Sequence, residues 1–279
     1  MSWAQAVRNR TRRGVQIASA FVRIDYIDTM NYPLALVMRA LSSFVPIVTF
    51  YFVSGLVSDN GPEVGGDYYT FVVIGIVTMG LLGATLNSFG NLMLRYTQEG
   101  QLEMFLVEPI RWRALPFVMI PWQAFIAIVT AMLMLGLTLF FGAEYAIGGV
   151  LPSILIVLLG LASTLAIGIL GASIKVLSKR ADPVLSLYTI AASVLSGAFY
   201  PLEQLPGWLR AFSWLIPHTY VIQALRRTLM PSGADLPGPS AAQAILALFA
   251  FCVILYPISM WTFGRLLEQG RKIGALSGY

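Results

Sequence analysis

Few side chains in this sequence could act as acids, bases, nucleophiles or metal ligands, and their scarcity is itself informative. There is one histidine, His218, and one cysteine, Cys252. Neither a His-x-x-Glu-His pair nor a multi-histidine metal site can therefore be assembled within the chain, and Cys252 has no internal disulfide partner. None of the three lysines, Lys175, Lys179 and Lys272, follows a glycine. The phosphate-cradling pattern Gly-x-x-x-x-Gly-Lys-Ser/Thr is thus missing, and if ATP drives this protein, another chain must hydrolyse it. The chain is expected to hold no catalytic group, no metal and no cofactor of its own. What stands out instead is a polar interruption at residues 97–112, TQEGQLEMFLVEPIRW, carrying three glutamates and a glycine between long apolar runs.

Composition says what those runs are. Hydrophobic residues make up 57% of the chain, charged residues 11%, and the mean hydropathy is +0.76, far from the roughly 25% charge of a soluble domain. An all-α integral membrane protein is expected. A membrane-crossing helix needs about 20 mostly apolar residues. Six intervals free of Asp, Glu, Lys and Arg, at 40–58, 68–94, 114–143, 145–174, 183–202 and 236–264, set six transmembrane spans, at 34–58, 68–94, 114–143, 145–174, 183–200 and 238–264. A shorter charge-free interval, 211–225, contains Pro217 and His218 and fits a re-entrant element within an outer region, 201–235.

Charge gives the orientation. Of 18 Lys and Arg residues, only Arg210, Arg226 and Arg227 fall on one side of this layout, leaving 15 on the other, together with both termini. The positive-inside rule then makes both termini and the 95–113 loop cytoplasmic. The net charge of +5 reports this topology, and no nucleic-acid partner is implied. No acid lies inside any span, which argues against proton-coupled transport, while sodium coupling through backbone carbonyls stays open. The first 33 residues begin polar and Arg-rich, unlike a cleaved signal peptide. Ile17, Ala20, Phe21, Ile24 and Ile27 fall on one helical face with Gln16, Ser19 and Arg23 opposite, the pattern of an amphipathic helix in the membrane interface.

The most specific text lies in the outer region, GAFYPLEQLPGWLRAFSWLIPHTY at residues 197–220. Pro201 and Pro206 break helix, Trp208, Phe212 and Trp214 suit a water–lipid boundary, and Pro217 separates two short helices. A re-entrant helical hairpin before the last span is expected, and an ordinary aromatic-anchored loop fits the bare pattern equally well.

This stretch resembles the signature of ABC exporter permeases of the type-two family: Gly-x-Phe-x-Pro at Gly197 to Pro201, Leu-Pro-x-Trp-Leu at Leu205 to Leu209, and aromatic-x-x-Pro-x-Thr-Tyr at Trp214 to Tyr220. The family's first cytoplasmic loop carries an acidic-Gly-x-Leu-Glu-x-Leu-x-x-Pro-Ile text, matched by Glu99, Gly100, Leu102, Glu103, Leu106, Pro109 and Ile110, with Phe105 in place of a usual leucine. The resemblance implies a permease that pairs with a second copy of itself and with two copies of a separate ATPase subunit, on which ATP and Mg reside. In such permeases the second and fifth spans face the route, which here makes Thr85, Asn87, Asn91, Tyr188, Ser193 and Ser196 candidate pathway residues. Membrane-helix Ser, Thr and Asn also often bond only to neighbours. Phe199, Tyr200, Trp208 and Trp214 are candidates for an outer gate. The segment at Glu99–Leu106 becomes a coupling helix: Leu102, Phe105 and Leu106 form an i, i+3, i+4 stripe that needs a cover, and Glu99 and Glu103 face a basic-rimmed groove on the ATPase. The expected cargo is an amphipathic drug-like, lipid or lipid-linked molecule moved outward, in contact with membrane lipid. An ATP-independent carrier or lipid scramblase is the alternative, and a membrane-embedded enzyme a weaker one. The recurrence of Gly160, Thr164, Gly168 and Ala172 every fourth residue reads as a helix-packing ladder.

Overall fold

The computed structural model describes residues 3–57, 68–100, 112–178 and 183–272. Among these residues every regular element is helical. Helix α1 (Trp3–Asn31) stops before Tyr32 because Pro33 disfavours helix at the residue preceding it and opens α2 (Pro33–Val57). Helix α3 (Tyr68–Gln98) is the central pillar, packed on α2 and on later helices along most of its length.

The third apolar run, expected as one span at 114–143, is broken. A short α4 (Leu115–Met119) precedes α5 (Pro121–Thr138), with a bend at Ile120. Pro121 lacks the amide donor that would continue a helix across the junction. After Thr138 the chain turns through a short 3-10 segment to Gly142, whose φ of 86° suits glycine. Helix α6 (Val150–Ser178) follows and extends beyond its expected end at 174.

A second difference concerns the fifth run, expected as a span to residue 200. Helix α7 (Pro183–Leu195) has only 13 residues, about 20 Å of rise, and gives way to a turn at Gly197 with φ 69°. The outer region then holds α8 (Gly207–Ser213) and α9 (Pro217–Leu229), separated at Pro217 as the proline pattern predicts. Thr219 Oγ1 donates to the Ser213 carbonyl at 2.6 Å, joining the two. Helix α10 (Ala241–Lys272) closes the order and runs past its expected end at 264. Four stretches among the described residues are long and apolar enough to cross a membrane: Tyr68–Gln98, Pro121–Phe141, Ile147–Lys175 and Ala241–Gln269. Leu41–Leu56 and Val184–Leu195 are apolar but shorter.

Lipid tails are as apolar as leucine, so contact between membrane helices depends on close packing more than on expulsion of water. The α6 ladder provides it. A Cβ on Gly168 would stand 2.4 Å from the Leu86 carbonyl oxygen of α3, and one on Gly160 would stand 2.6 Å from Val221 Cγ2 of α9. Ala172 is fully buried opposite Gly90. Helices α5 and α10 lie at the periphery, and side chains such as Leu133, Leu246 and Phe249 stay more than half exposed.

Candidate functional site

Asn87, Asn91 and Arg95 recur every fourth residue and so share one face of α3, giving an apolar helix a polar end. Arg95 Nη1 meets Asp28 at 2.5 Å and Nη2 stands 3.6 Å from Asp25, both acids on α1. Trp122 of α5 donates to Thr29 Oγ1 at 2.9 Å and lies edge-on to Tyr26. Helix α1 is therefore clasped to the end of α3 and the start of α5. The face it presents is Phe21, Asp25 and Asp28, rotated from the apolar stripe, which leaves Ile24 and Ile27 about half exposed. Asp25 is 2% exposed. Burial raises its carboxyl from the ordinary 3.8 to about 6, against the opposing pull of the Arg95 guanidinium, with Asp28 adding a smaller upward push. Neither acid was singled out in the sequence. Two carboxylates three residues apart within an otherwise apolar and basic helix were the available signal.

The stretch expected to contact the ATPase, from Glu99 to Leu106, begins just beyond this clasp. The last turn of α3 closes with Glu99 N donating to the Arg95 carbonyl at 2.9 Å and Gly100 N to Thr97 at 3.2 Å. Gly100, at φ 68°, takes the left-handed conformation that commonly ends a helix. Leu102, Glu103, Phe105 and Leu106 lie outside the described residues.

The six candidate pathway residues fall into different surroundings. Asn87 and Asn91 line a polar cleft of about 390 Å³ with Ser88, Arg95 and Gln123, and Lys175 of α6 donates to Asn91 Oδ1 at 2.6 Å. Thr85 is buried and bonds the Leu81 carbonyl of its own helix, and Ser193 bonds Ile190 in the same way. Ser196 is fully buried, its hydroxyl 3.6 Å from the Met79 sulfur. Tyr188 Oη lies 3.1 Å from Nδ1 of buried His218, joining α7 to α9.

Of the outer aromatics, Phe199 stacks on Phe50 of α2 with centroids 5.7 Å apart, and Trp214 meets Tyr220 edge-on at 5.2 Å. The Tyr200 hydroxyl bonds the Val194 carbonyl, and Trp208 is 67% exposed.

Beneath this hairpin lies a group that charge counting had assigned only to an outer loop. Arg226 of α9 is fully buried. Its Nε donates to the Phe71 carbonyl at 3.0 Å, Nη1 to Gly197 at 2.7 Å and Nη2 to Ala198 at 2.6 Å. The guanidinium carbon also stands 3.3 Å from the Phe71 ring centroid, within cation–π reach. One cation thus ties α9, the turn after α7 and the start of α3. Gly75 makes room for it, because a Cβ there would stand 2.1 Å from the Ala198 oxygen and 2.8 Å from Arg226 Nη2.

Apolar membrane-length helices, a polar end clasped by a peripheral helix and a short helix pinned by a buried cation define a multi-pass helical membrane protein. The family model described as ABC-2 type transporter matches residues 19–230, from within α1 to the end of α9. The chain belongs to that family: it is the membrane permease component of an ABC transporter, the partner of an ATP-binding cassette subunit and not the ATPase itself. No curated protein matches the chain significantly.

Proposed function

We propose that this chain forms the transmembrane half of an ATP-driven exporter. Two copies assemble with two copies of a separate ATPase, which binds ATP and Mg. Each copy crosses the membrane six times, the shorter apolar helices α2 and α7 completing the count, with both termini cytoplasmic and the apolar side of α1 on the membrane surface. Glu99, Gly100, Leu102, Glu103, Phe105 and Leu106 form the coupling element. The clasp supports this reading, since α1 and α3 are joined by Arg95 four residues before Glu99, where motion of the loop reaches both helices. Phe199, Tyr200, Trp208 and Trp214 close the outer end of the route, and the cargo is an amphipathic molecule.

The observation that carries the reading is the family match, which takes in both the Glu99 loop and the Gly197–Tyr220 hairpin. Its test is reconstitution of the permease with its co-purifying ATPase in vesicles. Outward movement of an amphipathic probe should require ATP and stop when the ATPase is made hydrolysis-deficient. Transport at full rate without ATP, or failure of any ATPase to co-purify in mild detergent, overturns it.

A further inference from the structure

We propose that each copy holds a phosphate-headed amphiphile in a cleft of its own between α2, α3 and α5, its head at Asn87, Asn91, Arg95 and Gln123 and its chain in an adjoining apolar chamber. The proposal rests on the permease reading for its orientation and names the ligand chemistry of one place in it.

The chamber, about 210 Å³, is walled by Pro46 of α2, Ile76 and Gly80 of α3, and Ala131 and Met134 of α5. It is larger than the roughly 150 Å³ apolar cavity that accepts benzene. Ala84 belongs to its wall and to that of the 390 Å³ polar cleft, so the two spaces adjoin along α3. Together they reach the scale of ligand pockets, ~300–1,000 Å³.

Two glycines support a space meant to be filled. Glycine inside a helix costs about 1 kcal/mol relative to alanine, and Gly75 has an evident packing reason for being there. Gly80 and Gly83 do not: a Cβ on either would meet nothing within 4 Å. Their missing side chains leave the wall of the chamber and cleft open.

Polarity changes in one direction along this face of α3, from Ile76 and Gly80 through Ala84 to Asn87, Asn91 and Arg95. With the Arg95 end cytoplasmic, this is the polarity of an amphiphile in the inner leaflet. Among the described residues, no carboxylate lines the cleft. The charged group in its wall is Arg95, whose acid partners Asp25 and Asp28 stand outside the lining. The amides of Asn87, Asn91 and Gln123 add neutral donors, and Lys175 polarises Asn91 at 2.6 Å. Asp25 and Asp28 offset the charge of Arg95, so it is the Lys175 ammonium beside Asn91, together with the amide donors, that favours an oxyanion through charge-assisted hydrogen bonds. Because a chain gains little by leaving bilayer for chamber, the head group supplies the selectivity.

The test uses purified permease in phosphatidylcholine nanodiscs without ATPase, a single-chain alkyl phosphate with a photoreactive tail, and an uncharged hydroxyl-headed analogue. Adducts located by mass spectrometry should concentrate near Ile76, Gly80 and Met134 and be sparse on outward residues such as Leu246. The phosphate probe should exceed the hydroxyl probe about tenfold, the worth of a hydrogen bond to a charged group. Gly80→Phe should abolish these adducts while Gly80→Ala leaves them, and Asn87→Leu with Asn91→Leu should erase the head-group preference. Competition by phosphatidic acid added to the bilayer identifies a membrane lipid as a source of the same head group; persistence of the adducts points to a dedicated cargo. Adducts spread evenly over outward helices, equal labelling by both probes, or indifference to Gly80→Phe overturns the proposal. Transport with an unlabelled cleft would sink the site alone, whereas a labelled cleft on a chain that recruits no ATPase would sink the exporter reading alone.

Discussion

Arg226 donates to the backbone carbonyl of Gly197, 29 residues earlier in the chain, at 2.7 Å, and does so with no exposed surface. A buried cation is tolerated when its hydrogen bonds are satisfied, and here the acceptors are the carbonyls of Phe71, Gly197 and Ala198. The same bonds that satisfy the cation fix the turn by which the chain leaves α7 on its way to α8 and α9.

Replacing that cation should loosen the hairpin. Arg226→Met strands the carbonyls of Gly197 and Ala198, each costing ~1–3 kcal/mol if left unpaired, and takes a second donor from the Phe71 carbonyl, which stays in the α3 ladder. Thermal unfolding in detergent should fall well below that of the natural chain, with Arg226→Lys intermediate because an ammonium lacks the planar fork. Unchanged unfolding of Arg226→Met would remove the hairpin lock.

Asp25 makes stability depend on pH. Its folded-state value near 6 exceeds its ordinary 3.8, so around pH 5 the folded chain holds a proton that the unfolded chain has released. The contribution of this group is fully present below 3.8, falls as the pH rises through about 6, and is flat above. Its full size is about 3 kcal/mol. The titratable and charged groups around it are Asp28, Arg95 and Tyr96. Asp25→Asn should flatten the slope between pH 4 and 6 in denaturation series; an unaltered slope would assign it to another group.

The glycines of α3 and α6 should respond oppositely to alanine. Gly168→Ala puts a Cβ 2.4 Å from the Leu86 carbonyl, forcing the helices apart and lowering stability by at least about 1 kcal/mol. Gly83→Ala meets nothing within 4 Å and should stabilise by up to ~1 kcal/mol through helix propensity. Paired melting curves decide, and similar shifts for both would refute the packing account.

For the coupling stretch, the double change Leu102→Ala with Phe105→Ala should leave membrane insertion intact but weaken ATPase retention or uncouple hydrolysis from transport. Glu99→Lys should impair assembly in a salt-sensitive way, since exposed ion pairs are screened. Normal co-purification and transport by both variants would remove the coupling role.

The sequence by itself determined the class and the coarse layout. Long intervals without charge can only sit in lipid as helices, which placed the run at 68–94 within α3 and all but the first three residues of the run at 238–264 within α10. The prolines at 206 and 217 marked the starts of α8 and α9, and the two motif stretches resembled the family that the 19–230 match shows. Each of these signals is local: a run of apolar residues, a missing amide donor, a short text. The tertiary structure decided what depends on partners distant in the chain. Arg226 looks like an ordinary loop cation until Phe71, 155 residues away, offers its carbonyl, and Asp28 looks like a surface acid until Arg95, 67 residues on, reaches it. The early end of α7 was equally hidden, because the turn at Gly197 and Ala198 is held by carbonyl bonds to the buried guanidinium. Hydrophobic periodicity records which side of a helix avoids water; it carries no record of which distant polar group will meet a buried charge.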